Sequence, residues 1–229
     1  MYRVQVINYI DKFLKEEGFT LKEEGDKTAQ LLFYSKELNF ITIGIRFLAE
    51  IYENNQFYGF VNCNQISLVE NIVAYILHKN EITAVKPIEV HNTIMTRDYD
   101  DYRLLTKGIL IDSEEKAKEV CTLFDKFYIQ YFFPFYQKWN SLYTLYEFIK
   151  DKEGREELHD ILGQFWQFKK AAILRLCNDK NYQEYMNTIY KREKKYFDED
   201  PNDIDNIRYY NAAKELKEVL DKTEPVYNI

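Results

Sequence analysis

The chain has 229 residues, 46% of them hydrophobic and 30% charged, which is enough length and apolar content for a packed core without disulfide staples. Its net charge of -7 and pI near 5.2 argue against a nucleic-acid partner, because binding a polyanion draws on Lys and Arg to displace counterions. No apolar run approaches the roughly 18 residues of a membrane span, so no membrane partner is expected.

At the amino terminus Val6, Ile7, Ile10, Phe13 and Leu14 recur at helical spacing, and Gly18 is placed to end that helix. The period then changes to two. Phe19 and Leu21 precede a Gly25-Asp26 turn, Leu31 to Tyr34 come next, and Ile41, Ile43, Ile45 and Phe47 alternate with Thr42, Gly44 and Arg46. With Phe57 to Val61 this predicts a half-buried antiparallel meander. Ser67 and Glu70 have capping-box spacing and open a predicted helix through about His78. Two further strand-like stretches, Ile88 to Met95 and Arg103 to Ile111, bring the expected sheet to about six strands, and Asp112 or Ser113 is placed to cap the next helix.

From there only helical periodicity remains: Glu114 to Trp139, Ser141 to Lys150 behind an Asn140 cap, Glu156 to Cys177, Asn181 to Phe197 and Ile204 to Leu220 behind Asp203. Alternating βαβ units are missing, so a parallel nucleotide-binding sheet is not expected. The predicted fold is α+β, with an N-terminal helix, an antiparallel sheet carrying an inserted helix, and an all-helical C-terminal half of about five helices. Residues 1–112 form the α+β portion of this reading and 113–229 the helical portion packed on it. In its order of elements the chain resembles some small bacterial immunity proteins, a likeness that carries no site residue with it.

Phe124 to Phe148 is the most distinctive stretch, with about half of its residues aromatic and Pro134 in its middle. A proline cannot donate to the carbonyl four residues back, so the helix is expected to kink there or to restart with proline in its first turn. One aromatic side should seat on the sheet. A kink would also open a pocket, with Tyr128, Phe132, Tyr136 and Trp166 as its expected lining.

Residues that could carry chemistry are sparse. His78, His91 and His159 do not pair at metal-ligand spacing, and Cys63, Cys121 and Cys177 are odd in number and far apart, so neither a metal centre nor a disulfide framework is predicted. Cys63, between two asparagines, is the one thiol worth testing as a nucleophile, since the other two occupy predicted core positions. Asp198 to Asn202 sets oxygens at the first positions of a calcium loop, but Asp203 and Tyr209 stand where the glycine and the bidentate glutamate should be. Lys191-Arg192-Glu193-Lys194-Lys195 reads as a solvated helix face.

The loop Arg97, Asp98, Tyr99, Asp100, Asp101, Tyr102 and Arg103 concentrates charge and tyrosine and is the expected contact loop for a basic protein partner. With no catalytic constellation and no cofactor motif, the first functional expectation is a non-enzymatic protein-binding module, an inhibitor or immunity-like protein for a basic partner. The alternative is a small-molecule binder, or an enzyme of unfamiliar type, with an aromatic-lined pocket. Association into homo-oligomers through exposed aromatics is a third reading. The amino terminus lacks the apolar core of a signal peptide and the cysteines do not pair, so a reducing cytoplasm is the expected setting.

Overall fold

The computed structural model describes residues 2–25, 29–50, 56–84, 92–94 and 108–227. Helix α1, Tyr2–Glu16, buries Val6, Ile10 and Leu14 on one stripe. It stops at Gly18, whose φ of +83° suits a residue without Cβ. There the Phe19 N–H donates to the Leu14 carbonyl and the Gly18 N–H to that of Lys15, a Schellman-type closure.

Five strands come next among the described residues: β1 Thr20–Gly25, β2 Ala29–Leu38, β3 Ile41–Glu50, β4 Gln56–Ile66 and β5 Ile109–Leu110, side by side in that order. Helix α2, Ser67–Lys79, lies between β4 and β5 in the chain. The sequence predicts about six strands. Most of the predicted Ile88–Met95 strand lies outside the described residues, and Asn92 to Ile94 are not in a strand. The predicted 103–111 strand is described only from Gly108, as the two-residue β5 pairing antiparallel with Gln56 and Phe57.

Contacts group the chain into two compact units, each built from two segments. The first comprises Met1–Asn64 and Met95–Asn140, the second Gln65–Ile94 and Ser141–Ile229, so the chain passes between them at 64/65, 94/95 and 140/141.

In the first unit, alternation puts Tyr34, Ile43, Ile45 and Phe47 on the buried face of the sheet, each 2% exposed or less. Tyr34 stacks on Phe47 at 5.9 Å between ring centroids and donates its hydroxyl to Asp11 Oδ1 of α1 at 3.0 Å. Helix α3, Glu114–Phe127, starts at Ser113, whose hydroxyl accepts from the Lys116 N–H. It seats Phe124 and Phe127 on Phe60 of β4 at 5.4 and 5.2 Å. One aromatic side of the stretch therefore seats on the sheet, as expected from the sequence.

Pro134 acts by restart. Residues Tyr128–Phe132 form a π-helical turn in which the Phe133 N–H reaches back five residues to the Tyr128 carbonyl, and helix α4, Phe133–Lys138, begins with Pro134 in its first turn, where a missing N–H costs least.

On the other face of the sheet Phe33 stands opposite Arg46, whose guanidinium lies 4.6 Å from the ring centroid. Gly44 makes room for that ring: a Cβ there would fall 2.2 Å from the Tyr34 carbonyl oxygen and 2.7 Å from the Phe33 ring.

The second unit is helical, with α2, α5 Leu142–Ile149, α6 Arg155–Leu162, α7 Trp166–Leu176, α8 Tyr182–Glu199 and α9 Ile204–Lys222. Eight of the eleven residues of α7 are buried, and it touches each of the other five helices, so it is the element on which they pack.

Two caps and one helix differ from the sequence expectation. Ser67 lies inside α2, behind Ile66 as N-cap, and Glu70 points into the core. Ser141, not Asn140, caps α5, accepting from the Tyr143 N–H. The single helix expected over Glu156 to Cys177 is two, broken where Gly163 has φ +67° and Phe165 adopts the left-handed conformation at φ +60°. Asp203 caps α9 as predicted, accepting from the N–H groups of Asp205 and Asn206.

This packing makes Gly44 and the buried phenols sensitive points. Gly44→Ala must drive a methyl into the β2 backbone, and overpacking of this kind costs about 3 kcal/mol or more, read as a lower urea midpoint with an unchanged slope. Tyrosine ionisation supplies a second prediction. Tyr9 bonds Asp125 at 2.9 Å, and burial reinforced by that bond pushes its phenol up to about 12; burial and carboxylate partners likewise raise Tyr128, Tyr146 and Tyr182. These phenols hold their protons more tightly folded than unfolded, so their contribution is intact below about pH 10 and lost as pH rises through the folded values. Alkaline titration should show phenolate absorbance and loss of helical circular dichroism appearing together above pH 10; free titration near 10 in a still-folded chain would contradict it.

Candidate functional site

The residues singled out from sequence are divided between the two units and a stretch outside the described residues. The loop from Arg97 to Arg103 lies outside the described residues. Tyr128, Phe132 and Tyr136 belong to the first unit and pack on one another at 5.5 and 6.4 Å between centroids. Tyr128 also meets Phe13 of α1 and donates its hydroxyl to Glu17, and Phe132 meets Phe19, so both rings pack on α1 or the residues directly after it. Trp166 is in the second unit, in the wall of a cleft.

Cys63 lies within β4 and is fully buried. Cys121 is only half-buried, contrary to its expected core position, and burial together with Asp125 raises its thiol. Burial pushes the Cys177 thiol up to about 12, so neither of these two is a ready thiolate. His78 ends α2, His159 lies in α6, and His91 is outside the described residues. No group of three or more potential metal-ligating side chains forms among the described residues. No helix among them is long and apolar enough to cross a membrane.

The cleft encloses about 520 Å³ between α7 and α8. Its position comes from the break at Gly163 to Phe165. The Phe165 carbonyl accepts from the N–H groups of Phe168 and Lys169, starting α7 with Trp166 as first residue. Trp166, Lys170 and Leu174 recur at every fourth position and make one wall. Asn181, Tyr185, Ile189 and Arg192, with Glu184 and Thr188 beside them, make the facing wall along α8, while Lys150 and Glu153 close one end.

The run expected to be a solvated face is only partly so. Glu193 is buried, and Arg192 is half-buried and gives both Nε and a terminal nitrogen to Glu193 Oε1, at 2.9 and 2.5 Å. Arg192 and Gln167 also border a second hollow of about 340 Å³, whose walls include Phe165, Phe168, Tyr196 and Tyr209.

Two adjacent lysines of α7 are buried and reach different partners. Lys169 donates to the carbonyls of Asn92 and Leu162 at 2.6 and 3.1 Å and lies 3.4 Å from Glu70 Oε1, with both charged side chains less than a tenth exposed. This is a core ion pair. Lys170, 2% exposed, instead lines the cleft. Its Nζ donates to the carbonyls of Lys150 and Lys152 at 3.2 and 2.5 Å and stands 5.1 Å from the Tyr185 ring centroid. Burial lowers its pKa, against weaker opposing pulls from Glu153, Asp179 and Asp151. Burial also raises the Tyr185 phenol, which is therefore neutral at physiological pH.

Sequence reasoning found Trp166 but missed Lys170, Tyr185 and Arg192. The available signal was Phe168-Lys-Lys-Ala-Ala-Ile-Leu174, where two lysines sit inside a run otherwise apolar all round. The cleft offers aromatic and aliphatic walls, an amine and a guanidinium, with no histidine and no catalytic triad. No protein-family model, curated protein or solved structure matches this chain.

The two lysines predict different outcomes when altered. Lys169→Met leaves Glu70 buried without its cation and should cost about 3–5 kcal/mol in urea unfolding. Pairing it with Glu70→Leu should recover most of that loss. An equal loss in the single and double variants would show that the ion pair is not what Lys169 contributes.

Proposed function

We propose that the protein binds a small organic molecule in the cleft between α7 and α8, as a binder and not through any of the hydrolytic or metal-dependent chemistries that need histidine, thiolate or clustered carboxylates. The observation that carries this reading is the cleft itself. Its volume of about 520 Å³ falls in the ~300–1,000 Å³ range of small-molecule sites, and its walls combine apolar surface with a few converging polar groups. Trp166 and Tyr185 supply flat surfaces for an unsaturated or ring-bearing ligand, and Lys170 and Arg192 supply fixed polar anchors. Phe165 supports the reading further, since a non-glycine residue held in left-handed conformation at the start of a cleft wall is the kind of strain that accumulates at binding sites.

A protein partner is the second reading. It draws on the net charge of -7, which favours electrostatic steering of a basic partner.

Thermal denaturation against a metabolite collection separates the two. A ligand at about 100 times its dissociation constant stabilises by about 2.7 kcal/mol, which for a chain of this length raises Tm by roughly 5–10 °C. Trp166→Ala and Thr188→Trp, the second of which fills the cleft, should each remove the shift. A shift that survives both substitutions places the ligand elsewhere. No shift from any compound, together with salt-sensitive capture of a basic protein, turns the assignment to the protein-partner reading.

A further inference from the structure

Lys170 differs from an ordinary interior lysine in what it lacks. Buried lysines are ordinarily compensated by a carboxylate, as Lys169 is by Glu70. Among the described residues no carboxylate comes within ion-pair distance of Lys170; its Nζ meets only the carbonyls of Lys150 and Lys152 and the face of Tyr185. Lys150 directly succeeds α5, so these carbonyls belong to the turn where that helix ends and exposes unpaired acceptors.

Two acceptors match a neutral amine, which has two N–H donors and one lone pair. With both donors held by backbone, the lone pair of the neutral form is left for a ligand, the Tyr185 face 5.1 Å away being the third contact that the protonated form uses, on a side chain that lines a cleft wide enough for an organic molecule. An amine desolvated in this way, with no carboxylate in ion-pair contact and with burial outweighing the more distant pulls of Glu153, Asp179 and Asp151, has the properties of a nucleophilic lysine.

Building on the ligand-binding reading above, we propose that Lys170 captures an aldehyde or ketone in the cleft as a covalent imine. The Nζ lone pair attacks the carbonyl carbon to give a carbinolamine. Loss of water then forms the C=N bond: the carbonyl oxygen leaves with two protons, balancing the two hydrogens given up by the amine. Protonation of the imine from water restores one N–H, so one of the two backbone carbonyls keeps its donor. No oxidant, reductant or metal enters the step. Trp166 and Tyr185 favour a carbonyl compound carrying an aromatic or conjugated group, which would stack between the walls.

The test uses the full chain with benzaldehyde and sodium cyanoborohydride at pH 7, with peptide mapping of the products. The reductant serves only to trap the imine. Lys12 and Lys195, whose side chains are exposed, are the internal references. Lys170 is expected to be benzylated at least about tenfold faster than either. Equal or slower labelling overturns the proposal.

Lys170→Arg keeps donors for the two carbonyls but cannot form an imine, and should fold with unchanged circular dichroism and without the fast adduct. Thr188→Trp should suppress the adduct, and fast labelling at Lys170 in that variant overturns capture in the cleft. The two hypotheses fail separately. A cleft ligand that raises Tm while Lys170 labels no faster than Lys12 removes the imine and leaves binding in place. Fast labelling of Lys170 with no compound producing a cleft-dependent shift retains a reactive amine and removes reversible ligand binding.

Discussion

Helix α7 is enclosed around most of its circumference, and the second unit depends on how that enclosure is satisfied. An α-helix with neighbours on every side should be apolar on every side, yet this one carries Lys169 and Lys170 at its centre. Each amine has to find partners within the reach of its side chain. Lys169 finds a carboxylate and two carbonyls, and in doing so ties α7 to α2, to the last residue of α6 and to the short segment at Asn92. Lys170 finds the turn after α5. The same two side chains thus hold four parts of the unit onto one helix, and they do so through backbone acceptors that few other residue types could reach.

The first unit is organised by aromatic area. Phe60 of β4 touches Phe47 and Phe57 within the sheet and Phe124 and Phe127 on α3, so one ring links the strand face to the helix above it. Polar ends complete what the rings begin: the exposed Tyr9 reaches Asp125 and the buried Tyr34 reaches Asp11, each bringing a phenol hydroxyl to a carboxylate. Phe33 shows the same economy on the opposite face, where glycine at position 44 is the only residue that leaves the ring its place.

Much of this was legible in the residues. The period-two run from Ile41 to Phe47, the glycine after the first helix, the caps at Ser113 and Asp203 and the seating of the aromatic stretch all arise from local chemistry. The break between α6 and α7 did not, because Leu158, Ile161, Leu162 and Phe165 continue a helical period straight through it. Periodicity reports which side is apolar and says nothing about a left-handed residue. Gly163 was the one local sign, and Phe165 is a residue type seldom found in that conformation. Glu70 misled in a related way: its spacing from Ser67 fits a capping box, but the long-range partner Lys169, ninety-nine positions away, prevails over the local one. The cleft was illegible for the same reason, since its walls come from segments whose pairing depends on that break.

The discontinuity of the first unit has a consequence for biogenesis. Strands β1 to β4 are complete once residue 66 has been made, but α3, the helix that covers Phe60 and its neighbours, is not finished until Phe127. At about 5–20 residues per second the ribosome needs on the order of 3–12 s to add the intervening chain. During that interval the nascent polypeptide presents a sheet face clad in phenylalanine with only its N-terminal helix for shelter, so the period of greatest risk of self-association falls before the protein is released, when a chaperone at the exit tunnel is best placed to shield it.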